Sequence, residues 1–193
     1  MNPLNPLFAR RRKHTSAAKL YGAIVAQTRL PLLYQEFGVP DTLEGRFVLL
    51  SLHLFAVLHR LKTEGTVAHD LDAGNLARKL VDRFSEDMET VLRELGVSDL
   101  KIPKKVRGLA ASSGAWLQAY EEAFAAGDGA LATTIAAALP LEGEPAEAAG
   151  GRLAHYLKRV VRRLEAEAFA ALKAGELIFP EASGISAQEL GDI

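Results

Sequence analysis

The chain has 193 residues, a formal net charge of −1 and 49% hydrophobic residues, enough apolar mass for one folded domain and too much for a disordered chain. It has no cysteine, which excludes disulfides, thiolate metal sites, iron–sulfur clusters and cysteine nucleophiles. The near-neutral balance gives no global pull toward nucleic acid, so specific DNA binding is not expected and any electrostatic partner must be met by a local patch.

At the start, the weak hydrophobics Leu4, Leu7 and Phe8 precede a basic run, Arg10, Arg11, Arg12 and Lys13. A secretory signal has the reverse order, so no export signal is expected. Residues 1–14 instead read as a basic arm, a candidate contact for an anionic membrane surface or for the ribosome.

The remaining periodicity is helical, with no sustained alternation of period two. A first helix is expected from Ala17 to Phe37, bent at Pro31, with Gly38 and Pro40 ending it. Asp41-Thr42-Leu43-Glu44 resembles a capping box centred on Asp41. The helix it opens carries Leu43, Phe47, Leu50, Leu54, Leu58 and Leu61 on one stripe, with Val48, Leu52 and Phe55 on another. That pattern suits a helix at the centre of a bundle. Its longest apolar run, Phe47 to Leu58, spans roughly 18 Å as helix, short of the ~30 Å core of a bilayer.

Thr66 is a candidate cap for a third helix, convincing from Leu76 through Leu80, Phe84, Met88, Leu92 and Leu95. A fourth is expected from Lys104 to Phe124 and a short fifth after Asp128. Pro140 to Gly151, with little to bury, reads as a mobile loop. The last long helix then begins near Arg152, using Leu153, Tyr156, Leu157, Val160, Val161 and Leu164. The expectation is an all-α, single-domain helical bundle of about six helices over residues 15–174, with a tail at 175–193 and flexible ends.

Catalytic constellations are sought without result, so an enzyme and a cofactor are not expected. His53 and His59 lie about 120° apart on one helix and cannot share a metal. His69, Asp70 and Asp72 read as helix-start polar residues, and His53 as a core histidine bonded to a carbonyl. Two further basic clusters, Lys101, Lys104, Lys105 and Arg107, then Arg152, Lys158, Arg159, Arg162 and Arg163, read as solvated faces, the last also as a lipid contact.

Four blocks of residues carry a resemblance. They are Tyr21-Gly22-Ala23-Ile24-Val25-Ala26-Gln27 with Arg29-Leu30-Pro31 and Tyr34; Gly38 to Phe47 with Leu52-His53-Leu54; Phe84 to Met88 with Leu92 to Leu100; and Lys104-Lys105-Val106-Arg107. In this order they resemble the ubiquinol–cytochrome c chaperone family. The resemblance implies a bacterial assembly factor for complex III that binds newly made cytochrome b, in the cytoplasm or peripherally on the inner membrane. It departs from the family pattern at Val48, where an acidic residue is usual, and after Arg107, where Ala111, Ser113-Gly114-Ala115 and Trp116 replace an aromatic-glycine-basic step.

Among the shared residues, Tyr21, Gln27, Arg29, Tyr34 and Arg46 are polar or amphipathic groups on helices that pack without them, which makes them client-contact candidates. His53, Asp87, Arg93, Asp99, Lys104 and Lys105 join them from the other blocks. The alternative is a helical binding module for another membrane-protein client, a lipid or haem.

Overall fold

The computed structural model describes the backbone of residues 15–68, 70–94 and 102–182, and their side chains apart from 67–68, 92–94 and 102–113. The basic arm with Arg10, Arg11, Arg12 and Lys13, the residue Asp99 and the end of the tail lie outside the described residues.

Eight helices are described: α1 (Ser16–Thr28), α2 (Pro31–Gln35), α3 (Leu43–Ala68), α4 (Leu71–Glu94), α5 (Ile102–Ala126), α6 (Asp128–Ala138), α7 (Gly143–Ala166) and α8 (Phe169–Ala174). The two beyond the expected number are α2 and the short α8. Pro31 does more than bend the first helix. It drives the preceding Leu30 into an extended conformation (φ −64°, ψ 122°) and itself opens α2, so the chain breaks there.

The cap of α3 also differs from the reading centred on Asp41. Thr42 Oγ1 accepts from Gly45 N at 3.2 Å, while the Asp41 carboxylate takes Arg46 Nε at 2.6 Å. Gly45 is required by this turn, because a Cβ there would lie 2.0 Å from the Pro40 carbonyl oxygen. Gly38 adopts the left-handed φ of 72° expected of it. Thr66 caps nothing. It lies inside α3 with its hydroxyl donating to Lys62 O, and Asp70 caps α4 by accepting from Asp72 N and Ala73 N.

Helix α3 is the axis of the bundle and packs against α1, α4, α5 and α7. Val48, Leu49, Leu52, Leu54, Phe55, Ala56, Val57 and Leu61 are buried on it, all round the helix. Leu43, assigned to the same stripe, is 49% exposed because it is the first helical residue and stands clear of the neighbours. On α4 the stripe Leu76, Leu80 and Phe84 is buried as expected.

The stretch read as a mobile loop, 140–151, is mostly helix. Helix α7 starts at Gly143, and only Leu139 to Glu142 connects it to α6. Its first two turns bury Ala146, Ala149 and Gly150. Those residues offer little area, yet their smallness lets α6 come into backbone contact. A Cβ on Gly150 would lie 2.5 Å from Ala132 O and 2.8 Å from Ala136 Cβ. Ala and Glu also favour helix intrinsically.

Arg60 fixes the far end of α7. Its guanidinium donates to the carbonyls of Leu164 and Glu167, pairs with Glu64 at 2.6 Å and sits over the Phe169 ring. Past α8, which ends at the left-handed Gly175 (φ 84°), residues 176–182 run without helix. Among the described residues no helix is long and apolar enough to cross a membrane.

Candidate functional site

The break between α1 and α2 gathers three of the candidates at one surface corner. Interrupting the helix leaves the Thr28 carbonyl without its helical partner, and Tyr34 OH donates to it at 2.8 Å. This bond pins the half-buried Tyr34 ring. Burial raises the phenol's pKa and nearby Asp41 raises it further, while Arg46 and Arg29 pull it back, so all three charges act on that hydroxyl. Arg29 and Arg46 are exposed, with Leu30 (39% exposed) and Leu43 (49% exposed) beside them. The corner therefore offers apolar surface, two guanidinium groups and one carboxylate. Such a mixture suits an amphipathic protein segment better than a small polar ligand.

Gln27 and His53 lie beneath this corner in a chain of hydrogen bonds. Gln27 Nε2 donates to Tyr156 OH at 2.8 Å, and Tyr156 OH meets His53 Nε2 at 2.8 Å. His53 Nδ1 faces Leu49 O at 2.7 Å and Thr28 Oγ1 at 3.4 Å. The imidazole is buried, as the core reading expected, and burial pushes its pKa down to about 4, with the Leu49 carbonyl opposing. His53 therefore reaches the surface only through its neighbours.

Tyr21 and Asp87 form a separate pair across the α1–α4 interface, with Tyr21 OH donating to Asp87 Oδ2 at 2.9 Å and Arg83 over the ring. Burial, with the carboxylate beside it, holds the phenol far above its ordinary pKa. The backbone of Arg93 belongs to the last turn of α4, and Lys104 and Lys105 to the first turn of α5. Their side chains lie outside the described set.

The third basic cluster is largely engaged within the protein. Arg152 donates to Phe37 O, Lys158 pairs with Asp128, Arg159 donates to Glu181 O and Arg163 pairs with Glu167. Sequence reasoning placed Tyr156 among plain core residues and missed its network. The available signal was a lone phenol on an apolar face, whose hydroxyl needs a partner when buried.

The described surface also carries open grooves. One, of about 280 Å3, lies between α3 and α5, floored by Phe55, Leu58 and Leu117 and rimmed by His59, Lys62 and Glu121. Burial would raise the Glu121 carboxyl, but His59 and Lys62 outweigh it and hold it below its usual range. Another, of about 370 Å3, lies beside the start of α1, between Thr15, Asp72, Lys79 and Lys173. Among the described residues no group of three or more His, Asp or Glu is placed to hold a metal ion.

Residues 35–179 match the family described as "Ubiquinol-cytochrome C chaperone". The chain is 25% identical over 121 residues to "Ubiquinol-cytochrome-c reductase complex assembly factor 1" of Xenopus laevis, covering 62% of this chain and 58% of that relative's length. Its fold is similar to the crystal structure of the Cbp3 homolog from Brucella abortus, with a TM-score of 0.75 and 33% identity over 92% of this chain and 96% of that one. The matched span runs from the end of α2 to the tail segment beyond α8, and on that evidence the chain belongs to the ubiquinol–cytochrome c chaperone family.

Proposed function

We propose that this protein is an assembly chaperone that binds newly made cytochrome b and supports biogenesis of ubiquinol–cytochrome c reductase, working by binding rather than by turnover. The observation that carries this reading is the family match over residues 35–179. The α1–α2 corner supports it physically. A membrane subunit awaiting its partners presents apolar helix together with polar loop ends, and Leu30, Leu43, Arg29, Tyr34 and Arg46 offer matching chemistry on one surface. Contact with an anionic membrane through Arg10, Arg11, Arg12 and Lys13 is part of the proposal, each basic residue contributing about 1 kcal/mol near such a surface. It places the protein on the cytoplasmic face of the inner membrane, within reach of ribosomes that are making the client.

The test is a deletion strain complemented with the intact gene or with the charge-reversed pair Arg29→Glu and Arg46→Glu. Membranes are assayed for b-type haem absorbance and quinol–cytochrome c activity, and the tagged protein is assayed for co-purifying cytochrome b. The proposal expects loss on deletion, rescue by the intact gene, and failure of rescue by the reversed pair at equal protein level. Unchanged complex III in the deletion strain would overturn it.

A further inference from the structure

The segment 176–182 is held against the helices by contacts of two kinds. Some are polar and made to its main chain: at its start Glu176 N donates to Ala171 O at 2.9 Å. Arg159 on α7 donates to Glu181 O at 2.7 Å, and Gln27 on α1 reaches Pro180 O at 3.4 Å while keeping its shorter bond to Tyr156. The others are apolar. The Phe179 ring stands edge-on to the His53 imidazole (centroids 5.2 Å apart, planes at 85°), and Ala182 is buried. Ile178, just before Phe179, points outward and is 61% exposed.

Both side-chain donors read peptide carbonyls, which every polypeptide possesses, and one aromatic slot beside His53 reads a side chain. That division of labour, main chain for affinity and one pocket for identity, is how proteins recognise unstructured peptide segments in general. The hold on the segment is uneven: the bond from Gln27 to the Pro180 carbonyl is at the limit of hydrogen-bond length, and Ile178 of the same segment faces solvent.

We propose that the seam between α1 and α7 is a docking site for a non-helical polypeptide segment bearing an aromatic side chain, and that the chain's own 176–182 segment is its resident, displaceable occupant. A tethered occupant competes at an effective concentration on the order of mM. A rival segment therefore succeeds only when it is itself held close by, as a client resting on Arg29 and Tyr34 would be, since Gln27 lies two residues from Arg29 on the same strand of chain. That last step rests on the proposed client role; the docking site and its test do not.

The absence of cysteine allows a clean test on the full chain. Ala182→Cys and Ala154→Cys each introduce one thiol at a position 3% exposed, the first at the end of the segment itself and the second inside α7. Reaction with a chromogenic disulfide reagent is followed under native conditions. The thiol at 182 is expected to react at least about tenfold faster than that at 154, because it opens locally and not only by global unfolding. A synthetic peptide with the sequence of residues 176–182, at mM concentration, is expected to accelerate the 182 reaction severalfold and leave the 154 reaction unchanged. The same peptide with Phe179→Ala is expected to have no effect. Adding Arg159→Gln to the Ala182→Cys chain is expected to speed the reaction without peptide, and this holds as a second readout should Ala182→Cys alone shift the melting temperature. Equal rates at the two positions, or no response to the peptide, would overturn the proposal.

Discussion

His53 Nε2 and the Tyr156 hydroxyl lie 2.8 Å apart inside the bundle, and their surroundings leave one proton arrangement that satisfies both. The Leu49 carbonyl can only accept, so Nδ1 carries the imidazole proton; Nε2 then accepts from Tyr156, whose oxygen accepts in turn from Gln27. A second proton on the ring would leave Nε2–H facing a hydroxyl that must then reverse, in a place with little water. The network therefore stabilises a neutral histidine.

Stability should depend on pH through this residue. The folded pKa of about 4 lies below the ordinary 6.5, so the unfolded chain takes up the proton first as pH falls. The stability is fully present above pH 6.5 and drains between about 6.5 and 4, by on the order of 3 kcal/mol. Urea midpoints of the wild type and His53→Gln, measured from pH 7.5 to 4.5, should diverge in that window. Asp41, Asp70 and Glu121, all held below their ordinary carboxyl values, lose their contribution only at lower pH. Parallel curves would show that the imidazole does not titrate as described.

Tyr156→Phe should cost about 1–3 kcal/mol, because it strands His53 Nε2 and takes the shorter bond from Gln27 without removing either group. The double variant with His53→Leu should cost less than the two single losses added together. A thermodynamic cycle from denaturant midpoints checks this, and additivity would mean that the two side chains are not coupled.

Adjacent glycines on α7 should respond in opposite directions. Gly150→Ala drives a methyl into Ala132 O and Ala136 and should destabilise by about 1–3 kcal/mol despite the better helix propensity of alanine. Gly151→Ala meets nothing within 4 Å and should stabilise by up to about 1 kcal/mol. Thermal melts of the two variants separate close packing from propensity.

Arg60→Met should loosen the corner between α7 and α8 by removing donors from the Leu164 and Glu167 carbonyls and leaving Glu64 without its close partner. A loss of about 2–3 kcal/mol is expected, with faster proteolytic cutting near 167–175. Lysine at the same position carries the charge but not the fork that spans two carbonyls, so Arg60→Lys should recover little.

The exposed Arg46–Asp41 pair calls for the reverse outcome. Its atoms approach to 2.6 Å, yet both side chains are more than half exposed, where screening leaves an ion pair little effect on folding. Arg46→Glu should leave the unfolding midpoint where it is while lowering co-purification of cytochrome b. A matched fall in both would assign Arg46 to stability instead.

Helix content and the central place of α3 were legible because large apolar residues recur on it at spacings of three and four, a signal that survives without tertiary knowledge. The break at Leu30 was only half legible. Proline announces a disturbance, but whether the chain bends or restarts depends on what takes up the freed carbonyl, and here it is Tyr34, six residues from Thr28. The first turns of α7 were illegible for a different reason. Hydrophobic periodicity weighs residues by size, whereas Ala146, Ala149 and Gly150 contribute by being small enough for α6 to approach. At the candidate corner, sequence nominated Arg29, Tyr34 and Arg46 one by one, and the fold brings the two arginines near enough to act on the Tyr34 hydroxyl. The network under it depends on Tyr156, 103 residues from His53, and no local pattern links residues so far apart.

The contact between α6 and α7 has a mechanical consequence. Where Gly150 sits against the main chain of Ala132 and Ala136, no flexible side chain lies between the two backbones to absorb sliding, so these helices translate and rotate together as one rigid strut. The turn around Leu30, where α1 ends, has no such backbone-to-backbone clamp: Leu30 is extended and the next helix starts afresh at Pro31.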